Sequence, residues 1–153
     1  IGFKVTQGDG SFKVTQSWTH KAQGYMSTPV VINGVAYEHL KSQRMMAIEV
    51  ETGRELWTAS EGLGKYASLV AQGDRILALD ERGLLYLLRA NPKQFELLDK
   101  RRLNAAESWA HLAVAGNDLF VRELNALAAY RWNAPGTLAT LAEEVVLSIA
   151  VPQ

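Results

Sequence analysis

Apolar and polar residues alternate along this chain in short bursts, each broken by Gly, Asn, Asp or Pro. Short alternating bursts favour strands, because a helix would repeat its apolar positions every three to four residues. Runs at 1–6 and 12–18 flank Gln7-Gly-Asp-Gly10, a turn signal, and so read as a hairpin. The run at 28–32 is nearly continuous in apolar residues, the pattern of a strand buried on both faces. Asn33-Gly34 then turns the chain into the next run. Carried to the end, the pattern predicts strands at 28–32, 35–40, 45–50, 54–59, 67–72, 75–80, 84–90, 95–102, 111–115, 118–123 and 126–131.

These bursts repeat. Thr28-Pro-Val-Val-Ile-Asn-Gly34, Ala67-Ser-Leu-Val-Ala-Gln-Gly73 and Ala110-His-Leu-Ala-Val-Ala-Gly116 align, with closing glycines 39 and 43 residues apart. A third apolar run follows each, at Met46-Ala47-Ile48, Tyr86-Leu87-Leu88 and Leu127-Ala128-Ala129, and Trp18 precedes Trp57 by 39 residues. A fixed period of about 40 with four short strands per unit predicts an all-β fold of β-propeller blades, each a four-stranded antiparallel sheet. The units are 1–21 (the end of a blade), 22–60 and 61–103 (whole blades) and 104–132 (an incomplete last blade), giving about three to three and a half blades. A tail follows at 133–153. Thr140-Leu-Ala-Glu143 resembles a capping box and Val145-Val-Leu-Ser-Ile149 is β-prone, with a helix over 138–147 slightly favoured.

Closed propellers need at least about four blades. The chain starts at Ile1-Gly2-Phe3, without Met and already in strand-like sequence, so it is expected to be a piece of something longer. Closure is expected from a missing N-terminal half or, for the isolated chain, from a homodimer in which one hairpin completes the other copy's last blade.

Composition removes several functions. Sixteen basic and sixteen acidic residues balance without a basic stripe, which argues against nucleic acid. With no cysteine there is no disulfide, thiol nucleophile or Cys-bound zinc. No apolar run is long enough to span a membrane as a helix. His20, His39 and His111 are scattered and suit hydrogen-bonded or surface roles, and no nucleophile turn is present. No catalytic residue, metal site or cofactor is therefore expected.

In Met46-Ala-Ile-Glu-Val-Glu-Thr-Gly-Arg-Glu-Leu-Trp57, the residues Ala47, Ile48, Glu49, Thr52, Gly53 and Trp57 follow the pattern Ala-hydrophobic-Asp-x-x-Thr-Gly-x-x-x-Trp, with Glu for Asp. This segment resembles the repeat of the quinoprotein-dehydrogenase-like β-propellers, and Thr28–Tyr37 is similar to that family's first two strands. The resemblance covers about 1–132, with one unit matching well; the next keeps Gly73 but lacks the Thr-Gly and the Trp. The third ends Ala126-Leu-Ala-Ala-Tyr130, a usual last-blade form in the family, so the resemblance implies the C-terminal part of a larger propeller. Enzymes of the family hold pyrroloquinoline quinone and calcium, the metal needing several oxygen ligands, and commonly set an adjacent-cysteine disulfide against the quinone. Here only Glu61 and Glu107 fall in the loops entering the first strands. The resemblance thus implies a non-catalytic binding or scaffolding protein, periplasmic or extracellular, with a protein partner. The alternative it leaves is a part of a quinone-dependent dehydrogenase.

Structural roles are expected for Trp18, Trp57, Gly34, Gly53, Gly73 and Gly116, with Trp57 largely buried between blades. The loops leading into the inner strands carry Tyr25-Met26, Tyr66 and Ser108-Trp109, and Tyr66 and Trp109 each stand seven residues before a glycine. Tyr25, Tyr66 and Trp109 are the candidate binding residues, since loops at a propeller mouth carry function.

Overall fold

The computed structural model describes residues 1–103 and 106–132. The helix expected over 138–147 lies outside the described residues. Within them every regular element is a strand. β1 (Gly2–Gly8) and β2 (Ser11–Trp18) form a hairpin. β3 (Val30–Ile32), β4 (Val35–His39), β5 (Arg44–Glu49) and β6 (Glu55–Gly62) form one four-stranded sheet. β7 (Ala67–Gln72), β8 (Arg75–Asp80), β9 (Leu84–Arg89) and β10 (Glu96–Arg102) form a second. β11 (Ala113–Ala115), β12 (Asp118–Arg122) and β13 (Leu127–Arg131) form a three-stranded sheet. Sequence neighbours pair antiparallel throughout, as in propeller blades.

The strand register repeats more regularly than the glycines do. Ile32 pairs Val35, Gln72 pairs Arg75 and Ala115 pairs Asp118, so the first two sheets are offset by 40. Asn33 and Gly34 both take positive φ (49° and 77°), whereas at the next two turns the glycine comes first, with φ of 58° at Gly73 and Gly116. The first is the type I′ pattern and the others the type II′ pattern, both matched to strand twist. This switch in turn type is why the first two glycines are spaced 39 apart.

The inner strands differ from expectation at their starts. β3 begins at Val30 rather than 28, where Pro29 has no N–H to give the ladder. β11 begins at Ala113 rather than 111; the Leu112 N–H donates instead to Ser68 Oγ on the neighbouring sheet. Nor is the 28–32 run buried on both faces. Val31 is exposed, because the side towards β1–β2 has two strands where a blade has four.

The core lies between sheets. One cluster joins Tyr37, Met45, Ala47 and Ala59 to Leu69, Ile76, Ala78, Tyr86 and Leu88 of the next sheet. A smaller one joins Leu79 and Leu85 to Leu112, Leu119 and Val121. Across the first sheet runs a row of paired residues, Val30–Tyr37–Ala47–Trp57, facing the second sheet. Trp57 is half-buried rather than buried, wedged between Tyr37 and Phe95 with ring centroids 6.0 Å from each.

The Thr-Gly turn has a definite local logic. Glu49 accepts hydrogen bonds from the Thr52 hydroxyl and, at 3.0 Å, from the Arg54 guanidinium. Those two donors hold its carboxyl below the usual range, the hydroxyl contributing most. Gly53 takes φ 72°, and the Trp18 ring lies where its Cβ would be. The glycine supplies both a left-handed backbone and a floor for the indole.

Gly2 opposite Trp18 occupies the place of Ala47 opposite Trp57. Beyond that point β5 continues for two residues and β1 for six. The hairpin therefore overshoots the blade by roughly 13 Å, at about 3.3 Å per residue. Phe3, Val5, Phe12 and Val14 on this overhang are all exposed.

Candidate functional site

The loop side of the inner strands is organised by two acidic residues at the end of β8. Glu81 accepts the backbone N–H groups of Lys65 at 2.9 Å and Tyr66 at 3.1 Å, and its own N–H donates to the Tyr66 carbonyl. Gly64 makes room for that carboxylate, which stands where a side chain would project. The Ser108 N–H donates to the Glu81 carbonyl, and the Ser108 hydroxyl to the Arg122 carbonyl. Three loops are thus tied through one residue.

Asp80 is fully buried. It accepts from the N–H groups of Arg82 and Leu84 at 3.0 Å each, from the Arg82 guanidinium at 2.6 Å and from the Tyr86 hydroxyl at 3.1 Å. Burial and the Asp80 charge push the Tyr86 phenol up to about 12. His39 is buried beside this network; its Nε2 donates to the Gly64 carbonyl at 3.0 Å and Nδ1 has no partner among the described residues. Burial pulls its pKa down, against the opposing pull of the Gly64 hydrogen bond, Glu81 and Asp80.

The three candidate aromatics fall into two kinds. Tyr66 is 4% exposed, whereas Tyr25 is 39% and Trp109 41% exposed. Backbone register explains the division. The carbonyls of Gln23, Tyr66 and Glu107 accept the equivalent N–H groups of Lys41, Glu81 and Leu124. Tyr25 and Trp109 each stand two residues beyond that acceptor, whereas Tyr66 is the acceptor itself. Counting back from the glycines placed Trp109 with Tyr66; the hydrogen bonds place it with Tyr25. The loops before β3 and β11 are longer than the one before β7, and the extra residues push Tyr25 and Trp109 outward. Tyr66 supports Trp109 from below, the rings stacked at 5.9 Å and 21°. The Trp109 indole donates to Glu107 at 2.9 Å.

Trp18 and Trp57 lie on the opposite side, in one repeated bond. Trp18 Nε1 donates to the Val50 carbonyl at 2.7 Å and Trp57 Nε1 to the Asn91 carbonyl at 2.8 Å, each in the turn of the following sheet. Gly34, Gly53, Gly73 and Gly116 all occupy positive-φ turns. Sequence reasoning passed over Asp80 and Glu81 and gave His39 only a hydrogen-bonded or surface role. The 40-residue spacing of Gly24 and Gly64 was the available signal, since a glutamate side chain, Glu38 or Glu81, packs where each would carry a Cβ.

Quinone and calcium do not fit this donor set. Asp80 and Glu81 are committed to backbone and arginine donors, the chain has no cysteine, and no group of three His, Asp or Glu among the described residues could hold a metal. Nor does any helix among them have the length and apolarity to cross a membrane.

Residues 3–59 match the profile of a family described as outer membrane protein assembly factor BamB. A stretch of 65 residues is 32% identical to quinoprotein ethanol dehydrogenase of Pseudomonas aeruginosa, covering 39% of this chain and 10% of that protein. BamB from Moraxella catarrhalis has a similar structure, with a TM-score of 0.57 at 12% identity over 80% of this chain and 37% of its own. The β-propeller domain of Myceliophteria thermophila Cps50 (Swd1) gives 0.56 at 15% identity over 84% of this chain and 48% of its own. The structural likenesses establish a β-propeller fold, and residues 3–59 carry the quinoprotein-type repeat. The chain spans about a tenth of the curated relative and little more than a third of BamB.

Proposed function

We propose that this chain belongs to a non-catalytic propeller that binds or scaffolds a protein partner in the periplasm or extracellular space. The observation that carries the reading is the pair Tyr25 and Trp109, exposed at equivalent positions on the loop side, with Trp109 braced by a buried tyrosine. Interfaces favour aromatics held in place before binding, because less rotamer freedom is then lost. The BamB family match supports an extracytoplasmic setting. In this reading a longer parent protein supplies the blades that close the ring, a view supported by the small share of BamB that the chain covers.

An envelope extract passed over immobilised chain tests it. One protein should be retained by the native chain and lost with Trp109→Ala, the variant's thermal midpoint staying within a few degrees. Equal retention by both would end the reading. The dehydrogenase alternative draws on the 32% identity; dye reduction with added pyrroloquinoline quinone, calcium and an alcohol would favour it.

A further inference from the structure

The row Val30–Tyr37–Ala47–Trp57 has a counterpart in the second sheet, Val70–Leu77–Leu87–Asp99, by the same pairing. Its fourth member is an aspartate on a bulged strand, not an indole. In front of the row, between the second and third sheets, a cleft of about 980 Å³ opens. Its apolar lining among the described residues is Val70, Leu77, Leu87, Val114, Leu119 and Trp132, and Arg75 and Asp118 also border it. Among the described residues, no side chain fills in the next blade pair the seam that Trp57 fills in the first.

The overhang of β1 and β2 is the complementary element. It carries Phe3, Val5, Phe12 and Val14 on one face and Lys4, Thr6, Lys13 and Thr15 on the other, and the bulge between Gly2 and Phe3 puts Trp18 on the side of the second set. A two-stranded hairpin is marginal alone in water. Both elements open on the same side of the sheets. The turn preceding each fourth strand is tied to a β3–β4-type turn, by Val50 N–H to the Gly34 carbonyl and by Ala90 N–H to the Asp74 carbonyl. The overhang extends on this side, and Gly73 and Gly116 border the cleft there.

We infer that the occupant of the cleft is the hairpin of a second copy of this chain, with Phe12 taking the seat that an indole fills in the preceding blade pair. Two copies meeting on this side exchange hairpins reciprocally, which closes a two-fold dimer and leaves no further free end. The four apolar side chains offer roughly 400 Å² per arm. With both cleft walls covered the contact comes to about 1,200–1,600 Å², within the range of a standard interface.

Sedimentation equilibrium of the full chain at micromolar concentration should give a dimer. Phe12→Asp lies on an exposed strand outside the core and should weaken it at least tenfold. Asp99→Trp should fill the seat from within and do the same, with strand content unchanged by circular dichroism. Because the chain lacks cysteine, Phe12→Cys chains mixed with Val114→Cys chains should form a disulfide between copies. A monomeric native chain, the outcome if residues beyond Trp132 or a different protein fill the cleft, overturns the inference. So does a dimer that neither Phe12→Asp nor Asp99→Trp weakens, or a mixture that fails to cross-link.

Discussion

The Trp57 indole reaches across a blade boundary to the Asn91 carbonyl, 34 residues away, at 2.8 Å. It combines that bond with packing against Tyr37 and Phe95. Full burial of a tryptophan would set a cost of about 3–5 kcal/mol for truncation. Trp57 is only half-buried, so Trp57→Ala should cost about 2–3 kcal/mol in urea denaturation. Trp57→Phe keeps most of the ring area and loses the N–H, and should cost about 1 kcal/mol.

Gly53→Ala should be disproportionately harmful for a methyl group on a turn. The positive φ alone costs about 1 kcal/mol, and the Trp18 ring, a rigid neighbour, must then move. A loss of about 2–4 kcal/mol is expected, with the Trp18 emission shifted towards that of a solvated indole. Gly10→Ala, at a positive φ with open space, should show only the smaller backbone part.

Alkaline stability should follow Tyr86. Its folded pKa is raised to about 12 against an ordinary value of 10.0. The unfolded chain therefore loses this proton first, and stability present below pH 10 declines as pH rises towards 12. The full loss is about 2–3 kcal/mol, at 1.36 kcal/mol per unit. Tyr86→Phe should flatten that decline, as read from denaturant midpoints across the window.

His39 works at the other end. Its folded pKa is lowered, chiefly by burial, so the unfolded chain takes up the proton more readily. Stability is present above about pH 6.5 and is lost as pH falls through the folded value. His39→Gln should remove part of the slope between about pH 7.5 and 5.5. His20 and His111 remain in the variant, so the difference between the two profiles belongs to His39.

Trp109→Ala should cost under about 1.5 kcal/mol, since an exposed stacked pair is worth little more. A larger loss in thermal or denaturant unfolding would make Trp109 a structural residue and withdraw it from the binding role.

Blades were legible in the sequence because their period is written in turn residues, and turns need φ that few residues adopt. Gly34, Gly73 and Gly116 announced the hairpins, and the strand runs followed from alternation. The loop side was less legible. Whether an aromatic before an inner strand faces solvent depends on how many residues the loop spends before the strand begins. That count is fixed by backbone hydrogen bonds such as Leu124 N–H to the Glu107 carbonyl, which leave no mark on composition. The Asp80 network was hidden for a similar reason. Asp80-Glu-Arg-Gly83 reads as an ordinary polar turn, and nothing local tells that Tyr86 and the loop at Lys65 close over it.

The two indole bonds also give the repeat a direction. In each, the donor belongs to the earlier blade and the acceptor to the turn of the later one, so the dependence runs one way along the chain. A nascent blade leaving the ribosome holds its tryptophan unsatisfied until about 30 more residues have emerged, the separation being 32 for Trp18 and 34 for Trp57. Losing a unit is then not symmetric. Removal of an earlier blade leaves the later one with a carbonyl that water can satisfy, while removal of a later blade strands an indole and the apolar row beside it.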